Sequence, residues 1–151
     1  TALIVDGEIV NEYVSEAMPT LTPEQVSHAT QKARRINYES GTMILNEGAN
    51  AESCYIVTKG MVEVILPRED QSDVIALQLG PGKVFGEMGF FHDRRRKASV
   101  RASERGPVEV LAISYEDLDQ LLGQSESTRE ALHQMAKKRL ADGLALRGVQ
   151  P

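Results

Sequence analysis

The chain has 151 residues, a formal net charge of −5, a hydrophobic share of 41% and a charged share of 26%. This length suits one domain with appendages, which buries roughly two-thirds of the surface that the unfolded chain exposes. The acidic balance argues against broad binding to nucleic acid or to an anionic membrane, and no apolar run approaches the ~20 residues that cross a bilayer. Cys54 is the only cysteine, which excludes an internal disulfide and suits the reducing cytoplasm in which we expect the protein.

The first twenty residues are predicted to be an extension of the domain that follows. Residues 2–10 carry an apolar run on each side of Asp6-Gly7, a pattern typical of two strands joined by a tight turn. This segment is similar to the hairpin that closes the ATPase domains of ABC transporters, although a plain hairpin accounts for the same residues. The chain does not begin with methionine and its start lacks the basic region of a signal peptide. An upstream domain is therefore the candidate source of residues 1–20.

A helix is predicted to open the main domain. Thr22 is a good N-cap, Pro23 suits the first helical position, and Gln25 stands three residues after the cap, where its side chain completes a capping box. We therefore place the domain over residues 21–147.

The central segment, residues 35–114, has the hydrophobic period of two that is typical of strands, with glycine at the turns. Short strands at this regular spacing predict a mainly β fold with flanking helices, an antiparallel β-roll that resembles a jelly-roll barrel. The predicted strands cover residues 36–38, 43–45, 54–57, 61–66, 74–79, 98–102 and 108–113.

Residues 115–147 are predicted to return to helix. Ser114 caps a helix that Gly123 ends, and either Ser125 or Ser127 begins a longer one. Apolar residues follow at helical spacing in the second helix, which predicts either a lid or core face or the contact of a homodimer. These residues are Leu132, Met135, Ala136, Leu140 and Leu144.

The segment 85–100 combines four features that suit a phosphorylated sugar. Gly86 and Gly89 allow backbone N–H groups to approach an anion, and a short helical turn directs its free N–H groups at the same place. Glu87 can accept a hydrogen bond from a ribose hydroxyl, as acids do in dinucleotide sites, and it can also complement a helix N-terminus. Arg96 supplies a cationic fork and stands directly before a strand, whereas the neighbouring arginines 94 and 95 are expected to face solvent.

The same segment resembles the phosphate-binding cassette of cyclic nucleotide-binding domains, the sensors of protein kinase A regulatory subunits, catabolite activators and cyclic-nucleotide-gated channels. The resemblance covers roughly residues 21–144. It implies that Gly86, Glu87 and Gly89 lie on the cassette helix, that Glu87 binds the ribose 2′-hydroxyl and that Arg96 binds the cyclic phosphate. The implied ligand-binding residues are Phe85, Gly86, Glu87, Met88, Gly89, Arg96, Lys97, Ala98 and Ser99, the two after Arg96 acting mainly through backbone N–H groups, and the lid residues are Leu140 and Leu144.

The residue after Arg96 bears on the choice of base. Members of the family that prefer cyclic GMP usually carry a threonine or serine hydroxyl here that holds the guanine amino group. Lys97 cannot accept such a hydrogen bond, while Ser99, two residues further on, leaves cyclic GMP open. The resemblance thus implies a regulatory sensor that favours cyclic AMP and that moves its C-terminal helices to signal to a covalently attached effector, with a transporter as one candidate.

Other classes of function fit the sequence less well. A metal enzyme with a similar barrel needs clustered histidines on strands, but the three histidines fall in two predicted helices and a loop, so we expect no enzyme and no metal. A DNA-binding unit needs a recognition helix, for which too few residues follow Leu144. The remaining alternative is a domain of the same fold that serves as an interaction or dimerisation module without nucleotide binding.

Overall fold

The computed structural model of the protein describes residues 2–67, 70 and 72–147, with the backbone alone described for residues 2–9. In this part of the chain five helices and eight strands form. The helices are α1 (Ala2–Ala17), α2 (Pro23–Lys32), α3 (Met88–Phe91), α4 (Tyr115–Gly123) and α5 (Glu126–Leu146). The strands are β1 (Arg34–Tyr38), β2 (Met43–Leu45), β3 (Ser53–Lys59), β4 (Val62–Pro67), β5 (Asp73–Leu79), β6 (Val84–Phe85), β7 (Ser99–Ala102) and β8 (Val108–Ser114).

The strands form two four-stranded antiparallel sheets, which confirms the predicted β-roll. One sheet has the order β1-β8-β3-β6 and the other the order β2-β7-β4-β5. Strand β6 was not predicted, because two residues are too short to show a period of two. It pairs with β3 through Tyr55 and Phe85, and it leads directly into the segment of the candidate site.

The side chains of the first sheet serve two separate cores. Along β3, Cys54 and Ile56 pack with the helices on the outer face, whereas Val57 packs between the two sheets. Strand β8 alternates in the same way, with Val110 between the sheets and Leu111 against the helices. Because both faces of this sheet are covered, β3 and β8 read as nearly continuous apolar runs in the sequence.

The predicted hairpin in residues 2–10 is wrong, since this segment belongs to helix α1. Val10, Val14 and Met18 recur every four residues and are at most 4% exposed, so the apolar period that positions this segment is that of a helix. Asp6-Gly7 suggested a turn, yet a glycine within a long helix costs only about 1 kcal/mol relative to alanine, which the packing of Val14 and its neighbours can offset. Of the extension 1–20, Thr1 lies outside the described residues.

The predicted helix starts are confirmed at Thr22 and Ser114. Thr22 accepts a hydrogen bond from the Gln25 amide at 3.2 Å, and the Gln25 side chain accepts one from the Thr22 amide at 2.9 Å. Ser114 accepts a hydrogen bond from the amide of Asp117 at 3.1 Å, and α4 ends at Gly123 as predicted. Of the two candidate caps for the last helix, Ser125 occupies the N-cap position of α5. Within the described helices, none combines the length and the hydropathy that a bilayer span requires.

Candidate ligand-binding site

A cavity of about 900 Å³ opens between the second sheet, the segment 85–98 and helix α5. Its walls are apolar toward β4 and β5, and its charged groups gather at the segment 85–98 and along one side of α5. Six basic and three acidic residues line it, an excess of positive charge in a chain whose net charge is −5. The charged residues are Glu47, Glu87, Arg95, Arg96, Lys97, Lys138, Arg139, Asp142 and Arg147, and the apolar ones include Val64, Leu66, Phe85, Met135, Leu140 and Leu144.

Gly86 makes a turn that only glycine accepts readily. Its φ is +81°, and a Cβ there would lie 2.9 Å from the Arg96 Nη1 atom. Helix α3 begins two residues later, at Met88, with Glu87 as its N-cap residue. The expectation that Gly86 and Glu87 lie on the cassette helix is therefore corrected, because the turn at Gly86 places both residues before it.

Gly89 lies on α3 and is required by packing within the protein. A Cβ at this position would stand 2.8 Å from the Ala51 Cβ atom and 3.1 Å from the Tyr115 hydroxyl. The close approach that we predicted for this glycine is thus made to Ala51 and Tyr115, although Gly89 also lines the cavity.

Glu87 is a completely buried carboxylate with one oxygen paired and one unpaired. Arg139 on α5 donates from Nη1 to Glu87 Oε1 at 2.5 Å and to the Val84 carbonyl at 2.6 Å. Glu87 Oε2 is buried and has no hydrogen-bond donor among the described residues. Burial raises the pKa of Glu87, while the charges of Arg139 and Arg96 oppose the rise. The site therefore holds a buried acceptor for which the described residues supply no donor.

Arg96 is 7% exposed and is held by one of its two terminal nitrogens. Nη1 donates to the Gly86 carbonyl at 3.1 Å and to the Tyr115 hydroxyl at 3.4 Å. The Nε and Nη2 groups donate to no acceptor in the part of the chain that the structure describes, and the side chain lines the cavity. A guanidinium fixed at one end and free at the other is suited to bind an anion through paired hydrogen bonds.

The two residues after Arg96 also line the cavity, but Ser99 does not. Among the described residues, the amides of Lys97 and Ala98 donate to no protein acceptor, so both N–H groups are available to an acceptor in the cavity. The Lys97 side chain pairs with Asp93 at 2.7 Å, outside the cavity. The Ser99 hydroxyl accepts a hydrogen bond from the Glu47 amide at 3.0 Å, so the structure does not bring it to the other candidate residues.

Helix α5 closes one side of the cavity, and the predicted lid residues Leu140 and Leu144 both line it. The prediction missed two arginines, Arg139 on the same helix and Arg147 directly after its last residue. Arg147 donates to Glu47 at 2.8 Å and to the Lys97 carbonyl at 2.7 Å, which ties the end of α5 to the loops beside the cavity. Helical spacing could have indicated Arg139, since it follows the buried residue Ala136 by three positions and so lies on the same face.

Other candidate chemistry finds no support in the described residues. In this part of the chain, no group of three or more His, Cys, Asp or Glu side chains is placed to hold a metal ion. Cys54 is completely buried, and desolvation raises the pKa of its thiol to about 12, which makes it a poor nucleophile. Arg94 and Arg95 are exposed, as predicted, although Arg94 also covers the Tyr115 ring at 5.0 Å.

Known proteins are similar to this chain in sequence and in fold. The family model of the cyclic nucleotide-binding domain matches residues 35–125. The chain is 35% identical over 86 residues to the cAMP-activated global transcriptional regulator CRP of Pasteurella multocida, an alignment that covers 56% of this chain and 40% of that protein. The chain thus spans well under half the length of this curated relative.

Two solved structures show the same architecture. The Thermus thermophilus catabolite activator protein is 30% identical with a TM-score of 0.71, over 81% of this chain and 56% of that one. The regulatory domain of Toxoplasma gondii PKA with cAMP has a TM-score of 0.77 over 87% of this chain and 50% of that one, and at 18% identity it shows the fold alone.

The fold is therefore that of regulatory β-roll domains with helices at both ends. Since the family model covers more than half of the chain, the protein belongs to the cyclic nucleotide-binding domain family. The family resemblance seen in the segment 85–100 is confirmed, and the curated relative named above is a transcriptional regulator.

Proposed function

We propose that the cavity binds a cyclic nucleotide and that the domain is a sensor without catalytic activity of its own. The observation that carries this proposal is a pair of complementary groups without hydrogen-bond partners among the described residues, an acceptor on Glu87 and donors on Arg96. Among the described residues Glu87 Oε2 has no donor, and a ribose 2′-hydroxyl would supply one. In the same part of the chain the Nε and Nη2 groups of Arg96 and the amides of Lys97 and Ala98 have no acceptor, and the oxygens of a cyclic phosphate would supply them.

Charge and shape support the same ligand class. A cyclic phosphate carries one negative charge, and the basic excess of the cavity lining favours an anion over a neutral nucleoside. The apolar lining residues Val64, Leu66 and Leu144 offer a surface for a flat base.

We propose cyclic AMP as the preferred ligand. A guanine amino group needs an acceptor near the cassette, and Lys97 has none in its side chain. The hydroxyl of Ser99, which left cyclic GMP open from the sequence, accepts from the Glu47 amide and stands outside the cavity lining.

The signal is proposed to leave through α5. Arg139 contacts Glu87, the proposed ribose ligand, and Arg147 contacts Lys97, so the helix meets the site at two points. The effector would be covalently attached in a longer protein. The suggestion of a transporter depended on a hairpin in residues 2–10, and helix α1 in its place removes that support.

Titration calorimetry with cyclic AMP, cyclic GMP and 5′-AMP tests the proposal, with Arg96→Ala as the diagnostic variant. Removing one partner of a buried charge pair should cost about 2–5 kcal/mol of binding free energy. Arg105→Ala is the matched control, because Arg105 is exposed in the turn between β7 and β8. Unchanged binding in Arg96→Ala would remove Arg96 from the phosphate. No binding by the wild-type protein would favour an interaction or dimerisation module instead.

A further inference from the structure

The Gly86 carbonyl is a junction between the candidate site and helix α4. It accepts hydrogen bonds from the Tyr115 hydroxyl at 2.5 Å and from Arg96 Nη1 at 3.1 Å. Arg96 Nη1 also lies 3.4 Å from the Tyr115 hydroxyl, so the three groups form a closed triangle. The triangle holds one end of the guanidinium in place.

Tyr115 is also fixed on its other sides. Its ring meets the Phe90 ring edge to face at 5.3 Å between centroids, and the Arg94 guanidinium covers it at 5.0 Å. The side chain is 6% exposed, and burial raises the pKa of its hydroxyl, which therefore stays protonated and able to donate. As the first residue of α4, directly after the capping Ser114, it carries these contacts into the helix.

We infer that Tyr115 is a positioning residue, which orients Arg96 for the phosphate of the ligand and connects occupancy of the site to helix α4. This inference rests on the proposed function. With Nη1 held by the Gly86 carbonyl and the Tyr115 hydroxyl, only Nε and Nη2 remain to face an anion, as the bidentate geometry requires. A shift of Gly86 on ligand binding would move the Tyr115 hydroxyl as well, because that hydroxyl donates a hydrogen bond to the Gly86 carbonyl.

The variant Tyr115→Phe tests the inference, since it removes the hydroxyl and keeps the ring against Phe90. Calorimetry should show the affinity for cyclic AMP reduced by about five- to tenfold, the usual worth of one hydrogen bond. Tyr13→Phe is the matched control, because Tyr13 packs against the helical core far from the cassette in sequence and makes no side-chain hydrogen bond among the described residues. The control should bind as the wild-type protein does, and an equal loss in it would overturn the inference.

A double variant separates positioning from a general loss of packing. In the Arg96→Met background, where no fork remains to be oriented, Tyr115→Phe should reduce the affinity by less than twofold, measured by ligand-observed NMR. Hydrogen exchange gives a second readout, because ligand should protect the first turn of α4 in the wild-type protein and not in Tyr115→Phe.

Three results would overturn the inference while the proposed function stands. They are wild-type affinity in Tyr115→Phe, an equal loss in Tyr13→Phe, and the same loss from Tyr115→Phe with and without Arg96. Absence of cyclic nucleotide binding by the wild-type protein would overturn both, because Arg96 would then have no phosphate to meet.

Discussion

At the scale of single residues, the two oxygens of Glu87 differ in their hydrogen bonding within the described structure. Arg139 occupies Oε1, and Oε2 has no donor in the described structure. A buried acceptor without a donor costs about 1–3 kcal/mol, so a ligand that supplies the donor recovers that cost on binding. Recognition of the ribose would therefore depend on one carboxylate oxygen that folding alone leaves unsatisfied.

Glu87→Gln should weaken the binding of cyclic AMP more than that of its 2′-deoxy analogue. The neutral amide is a poorer acceptor for the 2′-hydroxyl, and the deoxy compound has no hydroxyl to lose. Calorimetry with both ligands measures the difference. Glu130→Gln, an exposed change on α5, serves as the control. Equal losses for the two ligands would remove Glu87 from the ribose.

The sequence predicts two central residues of the candidate site, but it does not predict their hydrogen-bond partners in the protein. The chemistry of Arg96 and Glu87 and their positions beside a strand and a turn indicate both residues. Arg139 was one of three basic residues in a run, and only the packing of α5 shows that it alone of the three reaches Glu87. Ser99 does not line the cavity, and its hydroxyl accepts a hydrogen bond from the amide of Glu47, a contact that the sequence pattern does not contain.

At the scale of elements, helix α5 is attached to the site through Arg139 and through Arg147, the residue that follows its last turn. Arg139 reaches Glu87, and two turns later Arg147 reaches Glu47 and the Lys97 carbonyl. Gly143 between them brings the helix close to the sheet, because a Cβ there would lie 3.4 Å from a Leu66 methyl group. The last turn of α5 therefore depends on Arg147 to stay over the cavity.

Arg147→Ala should make a bound cyclic nucleotide dissociate about 3- to 10-fold faster, since a part-buried contact with the Lys97 carbonyl and an exposed contact with Glu47 are both lost. Stopped-flow displacement of a fluorescent cyclic nucleotide measures the rate. Lys138→Ala is the matched control, because it removes a cavity-lining cation whose ion pair with Asp142 stays within α5. An equal acceleration in both variants would assign the effect to charge and not to closure.

Elements were predicted well where the local signal and the packing agree, as at the caps Thr22 and Ser114. Helix α1 shows the opposite case. Asp6-Gly7 is a strong local turn signal, yet the buried spacing of Val10 and Val14 decides the element. Helix α1 packs against α2 and β3, which lie outside the segment 2–10. The local pattern of that segment therefore does not include the contacts that decide its structure.

At the scale of the whole molecule, one sheet separates two cores. The helices pack on its outer face, and the cavity opens from the core between the sheets. Phe85 belongs to the inner core and stacks on Tyr55 at 5.0 Å, while Phe90, five residues later, belongs to the outer one. The segment 85–91 therefore crosses from the cavity side of the sheet to the helix side, so one short stretch of chain contributes to both cores.

The buried carboxyl of Glu87 should also be visible in the stability of the whole ligand-free domain. Burial raises its pKa above the ordinary value of 4.5, so the folded state binds the proton more tightly than the unfolded state does. The free energy of unfolding should then fall as the pH rises from about 4.5 through the folded-state pKa, by at most about 1.4 kcal/mol per pH unit.

Urea unfolding of the wild-type protein and of Glu87→Gln at a series of pH values isolates this contribution, because the other titrations cancel in the difference. The stability of the wild type relative to the variant should decline with rising pH across that window. Glu130→Gln should show no such trend. A difference that rises with pH would mean that the ion pair with Arg139 outweighs burial, and that folding, not the ligand, already satisfies the charge of Glu87.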